Sequence, residues 1–167
     1  MKITIIASQA LVLSLALGMT SAARAAPAHA HTPAHGVVVS DAWSRPAPAG
    51  MQTGVVYMTL TNPTSVPDRL IDASSPVAAK MDLHRSSMAG GMMTMAPVPG
   101  GLAIPAHGRV DIAPNGYHFM LMGLVKGLDV GASFPVTLRF ARAGLVMAKV
   151  KVLARPPGMA GMSGMAR

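Results

Sequence analysis

The fold class this sequence predicts is all-β, an antiparallel sandwich of about seven to nine strands, and three features predict it. Short runs rich in β-branched residues recur between positions 37 and 154, with turn signals between them. Pro and Gly, 14 and 17 residues, fall mostly at the breaks between those runs. No stretch carries the apolar periodicity of a long amphipathic helix.

The chain opens with a segment that is not part of the fold. In MKITIIASQALVLSLALGMTSAARA, Lys2 precedes an apolar run, and small residues close on Ala23-Arg24-Ala25. That is the pattern of a secretory signal peptide, residues 1–25, with an A-x-A cleavage site. Ile3 to Met19 is short for a membrane span and includes Ser8 and Gln9, and the chain has no Cys to carry a lipid. A periplasmic protein without stable membrane insertion is therefore expected. Cleavage leaves 142 of the 167 residues, enough for one domain with a workable core, and lowers the net charge from +8 to +6.

Residues 26–36 begin APAHAHTPAH, a flexible leader containing His29, His31 and His35. From Gly36 the pattern becomes β. "GVVVSDAWS" and "GVVYMTLT" read as strands, and "NPTSVPD" as the turn after the second. "RLIDASS" and "VAAKMDLH" follow, the latter ending on His84. "RSSMAGGMMTM" then reads as a flexible Ser/Gly/Met connection and "PVPGG" as a further turn. "GRVDIAP", "GYHFMLMGL", "SFPVTLRF" and "LVMAKVKVLA" complete the sandwich domain, 37–154. Residues 155–167, RPPGMAGMSGMAR, form a flexible Met-rich tail, too rich in Pro and Gly for a helix. Met58, Met81 and Met147 lie inside apolar strands and are assigned to the core with Trp43 and Tyr57. Asp41, Asp68 and Asp72 read as turn or strand-end residues, and His107 as an exposed turn residue.

Composition removes several function classes. Without Cys there is no disulfide scaffold, no thiol oxidoreductase and no blue-copper centre, which needs a thiolate. The chain has no Glu, no paired carboxylates in an acid/base setting and no G-x-S-x-G, so an enzyme is not expected. Its cations are scattered rather than clustered with aromatics, which argues against nucleic acid and fits a solvated surface or an acidic partner.

What remains is 15 Met and 6 His. In "NGYHFMLMGL" a strand puts His118, Met120 and Met122 on one face and Tyr117, Phe119 and Leu121 on the other. The Cα atoms of His118 and Met120 should then be about 6.6 Å apart, twice the strand rise. One metal ion above that face can be reached by both side chains. Met122 shares the face but is assigned to packing. His84 ends an earlier strand, and Met95 lies across the Gly-rich connection, near enough for a turn to bring it back; Met88, Met92 and Met93 are alternatives to it. His84, Met95, His118 and Met120 make an N₂S₂ set. Thioethers select Cu(I) and imidazole suits copper, whereas zinc sites use Cys, His and carboxylates, and no carboxylate falls within these motifs.

Three stretches carry a family resemblance: "DAWSRPAPAGMQTGVVYMTLTN", "LHRSSMAGGMMTMAPVPGGLAIPAHGRVDIAPNGYHFMLMGL" and "FPVTLRF". Together they resemble the PCu(A)C family of periplasmic copper chaperones over residues 37–153. His84 and Met95 are separated by ten residues, as in the family pattern; twenty-two separate Met95 from His118-Phe119-Met120, one more than that pattern. Arg85 stands where some members carry a further Met. The resemblance implies a cupredoxin-like sandwich that binds Cu(I) through His84, Met95, His118 and Met120 and passes it to an acceptor. The acceptor it implies is the dinuclear copper centre of cytochrome c oxidase, on its copper subunit, or another assembly factor. The protein is expected to be a monomer. Sequestration of copper without an acceptor, and a structural β-domain whose Met content is incidental, are the other readings. The terminal histidines, with Met159, Met162 and Met165, offer further sites, imidazole for Cu(II) and thioether for Cu(I).

Overall fold

In the computed structural model, residues 36–157 are described, and every regular element among them is a strand. The strands are β1 (Val38–Ser44), β2 (Thr53–Thr61), β3 (Asp68–Ser74), β4 (Ala78–Ala89), β5 (Met92–Pro97), β6 (Leu102–Ile104), β7 (Arg109–Ile112), β8 (Tyr117–Leu124), β9 (Ser133–Phe140) and β10 (Gly144–Val152). The terminal His and Met residues, His29, His31, His35, Met159, Met162 and Met165, lie outside the described residues, as does the segment 1–25 expected to be a signal peptide.

The all-β expectation holds, with two differences. There are ten strands rather than seven to nine, because β5 lies in stretches expected to be a connection and a turn, and β6 in a stretch given no element. The pairing is also mixed. One continuous sheet runs β5-β4-β8-β7-β2-β1-β10-β9-β3-β6, with β8 paired to β2 as well. Most pairs are antiparallel, but β1 runs parallel to β10, and β7 meets β8 in a single parallel pairing. The first strand therefore sits between β2 and the last strand. A register shift between Ser40 and Trp43, where Asp41 takes φ +51°, bends β1 so that Trp43 and Ser44 pair with Lys151 and Val152.

The sheet folds over, bringing β3 into contact with β4, and the core fills the space between the two halves. Val56, Met58 and Leu60 of β2 and Phe119 and Leu121 of β8 meet Leu70 of β3, Val136 and Leu138 of β9 and Val150 of β10. Each such side chain contributes about 1.5–3 kcal/mol through burial. Met58, Met81, Trp43 and Tyr57 are buried as expected. Met147 is not: it is 73% exposed. In β10 the inward positions are Val146, Val150 and Val152, so Met147 shares the outward set with Lys149 and Lys151.

Asp68 opens β3 and is buried at the turn between β9 and β10. Its Oδ1 accepts N–H bonds from Arg69 at 2.7 Å and Arg142 at 2.9 Å, and its Oδ2 accepts one from Ala143 at 2.9 Å. Asp72, expected at a strand end, lies inside β3 at a register shift and faces Arg139 at 3.7 Å. His107 occupies a turn at φ +49° and is exposed, as expected.

Candidate metal centre

The site is built by alternation on β4 and β8. These strands pair antiparallel with His84 directly opposite His118, so both imidazoles stand on one face of the sheet. Phe119 and Leu121 enter the core, which leaves His118, Met120 and Met122 on the outer face. The imidazole rings of His84 and His118 are 6.0 Å apart between centroids and tilted by 53°. Behind that face, the Arg85 guanidinium lies 5.4 Å from the Tyr117 ring centroid and braces the same strand pair.

Met95 returns by a hairpin turn, but on paired strands rather than in a flexible connection. The "RSSMAGGMMTM" stretch is the end of β4, a two-residue turn and the start of β5. Gly90 and Gly91, at φ +59° and +79°, supply the two left-handed positions of a type I′ hairpin turn. Past the turn, β5 pairs back along β4 with Met95 opposite Ser86 and Pro97 opposite His84. The Ser87 and Thr94 hydroxyls bond at 3.0 Å on the reverse face. Met95 thus faces His118, and its Sδ lies 3.2 Å from His118 Nε2. Met92 shares the reverse face with Ser87 and Thr94, so it does not share the side of the sheet that His118 occupies.

His118 is 5% exposed and has an acceptor at each ring nitrogen: the Gly116 carbonyl 3.2 Å from Nδ1 and the Met95 thioether beyond Nε2. A neutral imidazole carries one N–H. In the tautomer whose Nδ1–H donates to the Gly116 carbonyl, the Nε2 lone pair points at the sulfur lone pairs. A cation between the two atoms would resolve that opposition. Bonds of about 2.0 Å to nitrogen and 2.3 Å to sulfur place the ligands 3.2 Å apart at an angle of roughly 95°. The Gly116 carbonyl also accepts the Ser86 N–H at 3.0 Å, which ties the orienting group to β4. Sequence reasoning missed Gly116; the Asn115-Gly116 turn just before the strand was the available signal.

Met120 lies one outward position beyond His118, half-buried, opposite Asp82 on β4 and Val55 on β2. Asp82 is ion-paired to Lys80 at 2.7 Å. Among the described residues no three His or Asp side chains converge as a metal-binding group. The donor set that does gather combines imidazole and thioether, which suits a soft ion. Further along this face Tyr57 stacks on Trp43 at 4.7 Å, and burial raises its phenol above the ordinary value, against the lowering effect of Arg45.

Comparison with known proteins decides the family. The family described as "Putative lipoprotein LpqE-like" matches residues 37–152, the whole strand-bearing region. The chain belongs to the LpqE-like, PCuAC-type family. A curated relative of this LpqE-like chain, "Putative lipoprotein Lxx21020" of Leifsonia xyli subsp. xyli, is 38% identical over 133 residues, 78% of this chain and 79% of the relative. The solved copper-bound PCuAC domain from PmoF2 is 26% identical with a TM-score of 0.59, over 71% of this chain and 93% of that one. The solution structure of CuI-DR1885 from Deinococcus radiodurans is 32% identical with a TM-score of 0.52, over 77% and 87%. The relative is named a lipoprotein, whereas the 167 residues of this LpqE-like chain include no Cys, the residue that bears a lipoprotein's lipid.

Proposed function

We propose that this protein is an exported copper chaperone that binds one Cu(I) through His84, Met95, His118 and Met120 and hands it to an acceptor protein. The observation that carries the reading is the buried His118 imidazole, held by Gly116 with its free nitrogen 3.2 Å from the Met95 sulfur. The copper-bound PmoF2 domain and CuI-DR1885 support it as similar proteins that hold copper. The signal-like N-terminus and the lipoprotein relative support export to the periplasm.

The ligands have unequal freedom, and that difference suits transfer. His118 is buried and oriented, so it keeps its place whether or not copper is bound. Met95 is 52% exposed on an edge strand, so its thioether can swing away without disturbing the core. An incoming ligand can replace Met95 while the imidazoles hold the ion. Cu(I) moves as a unit charge by ligand exchange, with no electron transferred. The acceptor the family resemblance points to is the dinuclear copper centre of cytochrome c oxidase.

Cu(I) loading under reducing conditions, followed by X-ray absorption, should show both nitrogen and sulfur scatterers at one core ion. His118→Ala should weaken that ion by more than about 100-fold, beyond the 10–100-fold typical of losing an orienting partner. Mixing the loaded protein with the apo copper subunit of the oxidase should then move the ion. A spectrum without sulfur would overturn the ligand set. Tight retention in the presence of the acceptor would make the protein a copper sequestration device instead.

A further inference from the structure

The hairpin of β4 and β5 carries more thioether than the core site uses. Met88 and Met93 stand directly opposite each other just before and after the Gly90-Gly91 turn. By strand alternation they occupy the same face as Met95 and His84. Directly opposite Cβ atoms are about 4.5–5.5 Å apart, and the diagonal from Met88 to Met95 is about 7–8 Å, within reach of long, unbranched side chains. Met88 is 67% exposed and Met93 57%, so packing does not account for either. Solubility does not account for them either. An edge strand is normally protected by charge, yet β5, at the end of the sheet, reads Met-Met-Thr-Met-Ala-Pro with no charged residue.

We propose that Met88 and Met93 form a second, more labile Cu(I) site at the hairpin tip, sharing Met95 with the core site and acting as the port through which the ion enters and leaves. The inference deepens the copper reading above and rests on it. Two or three neutral thioethers suit Cu(I) and hold it more weakly than a set with two imidazoles. The ion gains Met95 before it loses Met88, then gains His118 before it loses Met93. Each step exchanges one bond for another. The charge moves with the ion, no electron is transferred, and no proton is released because thioethers carry none. A port on the same hairpin also presents copper to the core at high local concentration.

The test uses the full mature chain with ¹³C-methyl-labelled methionine, titrated with Cu(I) and, as a redox-inert probe, Ag(I). The first equivalent should shift the Met95 and Met120 methyls, and the second those of Met88 and Met93. The Met88→Leu/Met93→Leu variant keeps side-chain volume and should leave core affinity unchanged while slowing Cu(I) uptake from a chelator severalfold. Met92→Leu, still more exposed but on the reverse face, should behave as wild type. Unmoved Met88 and Met93 methyls, unchanged uptake in the double variant, or equal slowing by Met92→Leu would each overturn the port. The core reading is tested separately: in His118→Ala the core ion should be lost while Ag(I) still shifts the Met88 and Met93 methyls, and an undiminished core ion in that variant would overturn the core reading alone.

Discussion

At His118 the fold sets one ring nitrogen against a carbonyl and turns the other toward sulfur, so the imidazole is held in one orientation. Protons compete with Cu(I) for such a lone pair, whereas thioethers do not titrate. Cu(I) affinity should therefore fall as pH is lowered, and less steeply in His84→Ala. A flat profile, measured by chelator competition, would exclude imidazole ligation. Met95→Leu conserves volume and should change stability by less than about 1.5 kcal/mol while removing a sulfur scatterer. Much of this site was legible residue by residue. The spacing of two between His118 and Met120 puts them on one face in any strand, and His84 closes a β-rich run. The orienting role of Gly116 was hidden because it depends on a backbone carbonyl rather than on a side chain.

Eight strands could be read from their β-branched runs, whereas β5 and β6 could not. "MMTMAP" has one β-branched residue and follows two glycines, a pairing that reads equally as a linker or as a type I′ turn. Only the strand partner opposite it decides between them. "LAI" is too short to show a period. Met147 was misplaced because its apolar neighbours outweighed the alternation with Lys149 and Lys151. The turns differ in what they tolerate. A Cβ at Gly90 would meet no atom within 4 Å, so Gly90→Ala should cost only the left-handed backbone, about 1–2 kcal/mol, and loosen amide exchange locally in the hairpin. At Gly101, φ +80°, a Cβ would run into the Leu70 carbonyl where β3 pairs with β6. Gly101→Ala should cost about 3 kcal/mol or more and appear in global denaturation. Equal effects at the two sites would contradict this placement.

Across the whole molecule, Asp68 joins β3 to the β9–β10 turn by accepting N–H bonds from Arg142 and Ala143, and it accepts a third from its neighbour Arg69. Asp68→Ala leaves those donors unpaired and should lower unfolding free energy by about 3 kcal/mol in a denaturant titration. Asp111 acts more weakly. The Arg109 guanidinium and the Thr59 hydroxyl hold its carboxyl below the ordinary value. A depressed carboxyl contributes stability above its unfolded pKa and loses it as pH falls through the folded value. Asp111→Asn should thus be slightly less stable than wild type at neutral pH and converge with it below about pH 4. The alternation along β8 has a consequence for quality control. Core residues and the outward imidazole and thioether interleave on that one strand, so a slip of a single register position would send imidazole inward and Phe119 into water. A misassembled chain would lose the approach of His118 to Met95 together with its core, so the proposed copper site and the correct fold stand or fall as one.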